Sequence, residues 1–379
     1  MQQKPDRGGE RSILIAVGGT GGHLFPARDI AEALVGSGRG IDVRFIGVGL
    51  STNPYFAPLR ERGFAYRDVS GAAPYRKNPV AVLRALWLLA KGTGQSFRHI
   101  RKSRPDLIVG FGSFHSFPAL VAAALARVPF VLFESNVIPG RVNRLLSRFA
   151  WMTGVRFPCA AEGLRGRVIC VRTPPSGGKT DQKMAREYFG LDKDRLTFLV
   201  FGGSQGSGSI NRHFCSSLRK LKTFCPDFQV IHIVGTPVRE ENLRRIYEKE
   251  RIPATIKSFE KNMHYAWSAA DLSISRAGAA TLAELIEFTT PGILIPYPHA
   301  SDDHQEKNAS FIAEEVKGGI KISESGLDDD RLIEAIEGLI RKNGERLHTM
   351  RSSLETFKEK NIKDDFLSLI AELGTHARK

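Results

Sequence analysis

Twice in this chain an apolar strand pattern runs into a glycine cluster and on into a helical pattern: ILIAVGGTGGH at 13–23 and LTFLVFGGSQGSG at 196–208. The strand ends, Val17 and Phe201, lie 184 residues apart. Strand, glycine turn and helix start form the opening unit of a doubly wound sheet, whose helix N–H groups face an anion at the turn. Two openings predict two such domains, which suits 379 residues at roughly 100–200 per domain. The Pro- and Gly-rich string TPPSGGKT at 173–180 lies between them and reads as the linker. Its Gly178-Lys179-Thr180 looks like a P-loop ending, but Thr173 stands where the first glycine belongs and no strand precedes it.

Further strands are expected at 43–46, 107–109, 130–133, 228–234, 272–275 and 292–296. They are apolar and β-branched without clean alternation, as strands covered on both faces are. Helical stretches between them predict βαβ units, a parallel sheet and the α/β class. The last stretch, 328–379, is charged with a helical period.

A net charge of +15 favours polyanionic partners: nucleic acid, an anionic membrane or phosphorylated substrates. None of the four cysteines forms a C-x-x-C pair, so reduced thiols are expected rather than zinc or a disulfide framework. The polar N-terminal string MQQKPDRGGERS lacks the apolar region of a signal peptide. The apolar stretch 80–90 is interrupted by Arg84 and falls short of the ~20 residues a spanning helix needs.

The first glycine string, Gly18-Gly19-Thr20-Gly21-Gly22-His23, fits neither common nucleotide template. G-x-G-x-x-G would need glycine at Leu24, and a P-loop would need Gly-Lys-Ser/Thr. His23 reads either as a capping or packing residue or as a general base, since imidazole titrates near the working pH. GFGSFHSFP at 110–118 and FESN at 133–136 leave the same sheet edge, where open α/β sheets bind ligands; each alone reads equally as an ordinary βα turn. In the second half, GGSQG at 202–206 is another anion-cradling loop. SRAGAATLAE at 275–284 puts Glu284 one helical turn in, where a carboxylate can take a ribose hydroxyl. Asp302-Asp303-His304 and Asp192-Lys193-Asp194 read as polar loops rather than metal sites.

Between Asp68 and Asp106 there is no acidic residue, while Arg76, Lys77, Arg84 and Lys91 are all basic. Inside that window PVAVLRALWLLA is apolar on nearly every helical face, more than one buried face requires. Val80, Leu83, Leu86 and Trp87 among these cations read as an interfacial membrane helix or as a buried core helix with a solvated basic flank. Nucleic-acid binding is disfavoured, because few aromatics interleave with the charges.

Taken in order, the strings GGTGGHLFPA, GFGSFHSFPAL, ESNVIPGRVNR, GGSQGSGSIN, SRAGAATLAE and PHASDDHQEKNA, spanning 18–309, resemble the MurG family of bacterial N-acetylglucosaminyltransferases. The resemblance implies a GT-B fold: two Rossmann-like doubly wound domains with a cleft between them. Residues 1–172 would form the acceptor- and membrane-facing domain and 173–350 the UDP-sugar domain, with 351–379 a C-terminal helix packing back on the first. It implies a cofactor- and metal-independent, inverting transfer in peptidoglycan synthesis. GlcNAc would pass from UDP-GlcNAc to the C4 hydroxyl of undecaprenyl-diphospho-MurNAc-pentapeptide, turning lipid I into lipid II. The enzyme would sit peripherally on the cytoplasmic face of the inner membrane, against anionic lipid, beside other cell-wall synthesis proteins and without nucleic acid.

Carried over by motif, His23 is the base, and Thr20, Gly21 and Gly22 line the donor sugar and phosphates. Asn136 contacts the GlcNAc, and Ser204 a donor phosphate. Ala279, Ala280, Thr281, Leu282, Ala283 and Glu284 surround the nucleoside, with Glu284 on the ribose, and Gln305 lies near the sugar and diphosphate. Arg172 matches the Arg of the family's Gly-Asn-Pro-Val-Arg, although Ile-Cys-Val-Arg stands here. The uracil-contacting position falls on Glu260 where Ile is usual, and Ser113-Phe114-His115 stands where Gly-Tyr is common. The competing readings are a GT-B enzyme acting on another lipid such as diacylglycerol, a UDP-GlcNAc epimerase, and a non-catalytic nucleotide-sugar or nucleic-acid binder.

Overall fold

The computed structural model describes residues 11–19, 21–74, 78–173, 177–203, 205–361 and 364–376. The chain divides into two compact units, Met1–Thr173 with Ile362–Lys379, and Pro174–Asn361. The strands are β1 (Arg11–Ala16), β2 (Ile41–Gly47), β3 (Tyr66–Asp68), β4 (Leu107–Gly110), β5 (Phe130–Glu134), β6 (Met152–Val155), β7 (Val168–Arg172), β8 (Leu196–Phe201), β9 (Phe228–Ile233), β10 (Ala254–Lys257), β11 (Leu272–Ser275), β12 (Gly292–Leu294), β13 (Gly319–Lys321) and β14 (Asp364–Asp365). They form two parallel sheets, ordered β14-β7-β6-β5-β4-β1-β2-β3 and β10-β9-β8-β11-β12-β13.

In each sheet the chain starts in the middle, winds outward one way, then returns to wind the other way. The order reverses between β1 and β4 in the first unit and between β8 and β11 in the second. These are the switch points at which doubly wound sheets take their ligands. Burial on both faces explains the lack of alternation in the strands. Ile13, Ile15 and Val17 enter one apolar cluster while Leu14 and Ala16 enter another on the opposite face. A strand's period of two sorts an all-apolar run into two cores.

In the second unit the helix Gly208–Phe224 buries Ile210, Phe214, Leu218 and Leu221, a single stripe at helical spacing. Residues 351–361 continue the helix Asp329–Asn361, whose Leu347 and Met350 belong to that unit's core. The chain then re-enters the first unit. β14 pairs with β7 (Asp364↔Val171, Asp365↔Arg172), and the helix Phe366–His376 buries Phe366, Ile370 and Leu373 in the same cluster as Ile13.

Candidate active site

In the first unit two glycine loops meet at the β1/β4 switch point. Gly19 has φ +88°, and after β4 both Gly112 and Ser113 are left-handed, at +73° and +64°. The imidazole of His115 lies directly against the first loop: a Cβ on Gly18 would stand 2.7 Å from His115 Cβ, and one on Gly19 2.8 Å from its Nδ1. Only glycine fits beneath that ring. Asn53 Nδ2 donates to Gly19 O at 2.7 Å, and Val48 N donates to His115 O at 3.1 Å. The helix Gly21–Gly36 then begins with Gly21 buried, Gly22 exposed and His23 half-buried on the first turn. Thr20 lies outside the described residues. His115, which sequence reasoning did not single out, keeps Nδ1 3.2 Å from Ser113 Oγ. Burial lowers its pKa to about 4, so its ring is neutral near pH 7.

The loop after β5 is organised by Glu134. This buried carboxylate accepts from Asn136 N at 3.0 Å, Asn136 Nδ2 at 3.3 Å, Gly140 N at 2.9 Å and Asn143 Nδ2 at 2.8 Å. Asn143 lies under Gly112, so the second glycine loop and the Asn136 loop share one support. Glu134 is a further residue that local sequence reading missed: its donors stand two to nine positions away, and only the fold brings them together. Arg172 lies exposed at the end of β7. Beside it, the buried Arg156 donates from Nε to Thr173 Oγ1 at 3.2 Å.

In the second unit Gly203 and Gly206 adopt φ +80° and +70°, and Gly206 N donates back to Gly203 O at 2.9 Å. Ser204 lies outside the described residues. Ser207 caps the next helix. After β11 the helix Ala279–Phe288 starts behind Gly278, with Ala279, Thr281 and Leu282 buried and Ala280, Ala283 and Glu284 half-buried. Glu284 Oε2 accepts the Trp267 indole N–H at 2.9 Å. Gln305 Oε1 accepts from Tyr297 N at 3.0 Å, and the buried Asn308 donates to Ala277 O at 3.0 Å.

Arg276 ties these loops together by donating to Ser209 Oγ (3.3 Å), Ile295 O (3.2 Å) and Glu324 Oε1 (3.1 Å). Burial alone would raise the Glu324 carboxyl. The hydrogen bonds from Arg276 and Ser209 and the Arg276 charge instead hold it below the ordinary carboxylate value.

Glu260 is buried, with Oε2 2.6 Å from Lys257 Nζ and Oε1 accepting from Asn262 N at 2.7 Å. Its side chain is committed to its own loop. Asp192 Oδ1 accepts the N–H groups of Asp194 and Arg195, so Asp192-Lys193-Asp194 is a side-chain-closed turn. Among the described residues no group of three His, Cys, Asp or Glu side chains could hold a metal ion.

The helix Pro79–Ser103 is capped by Asn78, whose side chain accepts from Val80 N at 2.9 Å. It buries Ala85, Leu89, Gly92, Ser96 and Ile100 along one stripe. Val80, Leu83 and Trp87 stay 72 %, 67 % and 61 % exposed, and Leu86, Arg84 and Lys91 are exposed with them. The Lys91 ammonium sits 5.2 Å from the Trp87 ring centre. Arg76 and Lys77 lie outside the described residues. No described helix is long and apolar enough to cross a membrane.

Residues 13–154 match the N-terminal domain of glycosyltransferase family 28 and 197–366 its C-terminal domain. A relative from Protochlamydia amoebophila is 44 % identical over 87 % of this chain and 88 % of its own length. One from Chlamydia pneumoniae is 34 % identical over 96 % and 98 %. Both are named UDP-N-acetylglucosamine–N-acetylmuramyl-(pentapeptide) pyrophosphoryl-undecaprenol N-acetylglucosamine transferase. Among solved structures, MurG of Acinetobacter baumannii superposes with a TM-score of 0.78 at 24 % identity, covering 97 % of this chain and 99 % of that one. A UDP-glucose:anthocyanidin 3-O-glucosyltransferase in complex with UDP superposes at 0.68 and 12 % identity, covering 97 % and 99 %. Paired parallel-sheet units with these counterparts are the GT-B fold. With both domain models matched and a 44 % identical relative over most of its length, the chain belongs to glycosyltransferase family 28.

Proposed function

We propose that this enzyme transfers GlcNAc from UDP-GlcNAc to the C4 hydroxyl of undecaprenyl-diphospho-MurNAc-pentapeptide, converting lipid I to lipid II. The observation that carries the reading is the 44 % identity, over 87 % of the chain, to a transferase whose name states both donor and acceptor. The site geometry supports it. In the second unit, Glu284 is held by Trp267 on the second turn of the helix after Gly278, where it can take the ribose hydroxyls. The 202–206 loop and its helix start receive the diphosphate, with Ser204 on a phosphate oxygen. The Glu260 backbone is left to read the uracil, because its carboxylate is engaged elsewhere.

In the first unit, His23 stands at a helix start on the switch-point edge. It accepts the proton of the acceptor's C4 hydroxyl as that oxygen attacks the anomeric carbon. The bond from C1 to the phosphate oxygen breaks, UDP leaves with the electron pair, and configuration at C1 inverts. General-base help of this kind is worth roughly 10²–10⁴-fold. In this reading the N–H groups of the 202–206 loop and of the helix start behind it stabilise the charge that develops on the leaving phosphate. Asn136, fixed by Glu134, meets the GlcNAc. Gln305 and Arg172 serve the sugar and diphosphate ends.

The exposed face of Val80, Leu83, Leu86 and Trp87, ringed by Arg84 and Lys91, supports peripheral binding to an anionic leaflet. The leaflet is the cytoplasmic one, where a charged nucleotide-sugar is available, and neighbouring cell-wall enzymes share that surface. Expression in cells depleted of their own lipid I GlcNAc transferase tests the proposal. Lipid II is expected to return; continued accumulation of lipid I with the protein present would overturn it.

A further inference from the structure

The carboxyl ends of four neighbouring strands in the second sheet, β8, β11, β12 and β13, are joined by one ion pair. Arg276 follows β11 directly, and Glu324 opens the short turn Glu324–Gly326 just beyond β13. The guanidinium meets the carboxylate with both terminal nitrogens, Nη1 on Oε2 and Nη2 on Oε1, the latter at 3.1 Å. Nη1 also donates to Ile295 O at 3.2 Å and Pro296 O at 3.4 Å, just past β12. Nη2 donates to Ser209 Oγ at 3.3 Å, and that hydroxyl donates to Glu324 Oε1 at 2.6 Å. Ser209 Oγ lies 3.1 Å from the hydroxyl of Ser207, which caps the helix after β8 by accepting from Ile210 N. On the other side the guanidinium sits 5.5 Å from the centre of the Tyr297 ring, and Tyr297 N donates to Gln305 Oε1 at 3.0 Å. One connected set of contacts thus runs from the helix start after β8 to Gln305.

The charge balance says what the pair is for. A lone carboxylate at this edge would oppose a diphosphate. Glu324 is matched by Arg276, and the terminal nitrogens of Arg276 are taken up by Glu324, Ser209 and two carbonyls. The guanidinium is committed to the protein rather than held out to a phosphate. The two side chains are only 11 % and 24 % exposed, so removing one partner leaves a poorly solvated charge unanswered. A two-pronged arginine–carboxylate pair fixes orientation as well as distance.

We propose that Glu324 is a positioning residue for the donor. Acting through Arg276 and Ser209, it holds the helix start after β8 and the segment 295–305 in the one relative arrangement that takes the nucleotide-sugar. This rests on the reading of the second unit as the donor domain.

The test compares the full chain with its Glu324→Ala, Glu324→Gln and Ser209→Ala variants. Donor KM, acceptor KM and kcat come from steady-state kinetics, UDP affinity from calorimetric titration and Tm from scanning calorimetry. Glu324→Ala is expected to raise the donor KM and weaken UDP binding by about 10-fold or more, as loss of a hydrogen bond to a charged group does. The acceptor KM should stay at the wild-type value and kcat at saturating donor within about 3-fold, a change of less than 1 kcal/mol. Glu324→Gln keeps an acceptor for Arg276 and Ser209 and should recover part of the loss. Ser209→Ala leaves the ion pair whole, so the fold is kept, and should raise the donor KM by about 2- to 10-fold, the range for a neutral hydrogen bond. A lowered Tm with wild-type donor KM and UDP affinity in all three variants would overturn the proposal, as would an equal rise in both KM values. Tighter UDP binding by Glu324→Ala would overturn it too, by making Arg276 a phosphate ligand that Glu324 restrains. Each of these outcomes leaves the donor reading in place, whereas a wild-type chain that does not bind UDP would overturn both.

Discussion

The indole N–H of Trp267 donates to Glu284 Oε2 at 2.9 Å, fixing a carboxylate on the second turn of the helix that follows β11. Trp267 is itself buried, stacked over Phe288 and edge-on to Phe201, so the donor cannot swing away. A ribose diol bound to the oriented carboxylate would gain a hydrogen bond to a charged group, worth about 1.5–3 kcal/mol. Glu284→Ala should therefore raise the UDP-GlcNAc KM by about 10- to 150-fold with a smaller change in kcat. Trp267→Phe should give a weaker effect of the same kind. Steady-state kinetics with varied donor check both, and an unchanged donor KM in Glu284→Ala would remove the ribose assignment.

His23→Ala should fail in the chemical step. The expected loss in kcat is roughly 10²–10⁴-fold, with donor affinity near wild type. Single-turnover rates separate this from a binding defect. Turnover close to the wild-type rate would show that another group takes the proton.

Glu134→Ala removes one acceptor from four N–H groups around the Asn136 loop. Buried donors left without partners cost about 1–3 kcal/mol. Such a change lowers Tm by about 2–12 °C for units of this size. Differential scanning calorimetry measures it, and the acceptor KM should rise as Asn136 loosens.

Two histidines set a pH dependence of stability. Burial lowers the pKa of His115 to about 4 and that of His232 to about 3, against an ordinary 6.5. Between these values and 6.5 the unfolded chain binds protons that the folded chain refuses, so both residues favour folding above pH 6.5 and lose that contribution as pH falls. His115→Gln should flatten the fall of Tm between pH 6.5 and 4 relative to wild type. Parallel Tm profiles for the two proteins would contradict the assignment.

Removing the exposed cations should weaken vesicle binding without affecting the fold. Arg84→Ala and Lys91→Ala should each reduce affinity for anionic vesicles by about 5-fold, the equivalent of about 1 kcal/mol per charge. Trp87→Ser should weaken binding to neutral and anionic vesicles alike. Sedimentation with vesicles of defined composition reads both effects.

The class of fold was legible because the central strands are apolar runs and the glycine loops sit at their carboxyl ends. Strands β3, β6, β7, β10 and β13 were not found. Tyr66-Arg67-Asp68 and Ala254-Thr255-Ile256-Lys257 are short and carry polar residues at or near sheet edges, where only one side needs pairing. Met152-Thr153-Gly154-Val155 lacks the apolar continuity of its neighbours. β14 is two aspartates, with no strand signal of its own; its pairing with Val171 and Arg172 comes from the chain's return.

At the site, the glycines and Glu284 could be read from local strings. Glu134, His115 and Arg276 could not, since each draws its partners from other segments: Asn143 for the first, Gly18 and Gly19 for the second, Ser209 and Glu324 for the third.

The most direct measurement is transfer of labelled GlcNAc from UDP-GlcNAc to a short-chain lipid I analogue, with diacylglycerol offered in parallel. Label on the lipid I analogue alone is the expected result. Label on diacylglycerol alone, or on neither acceptor while UDP still binds, would contradict the proposed reaction.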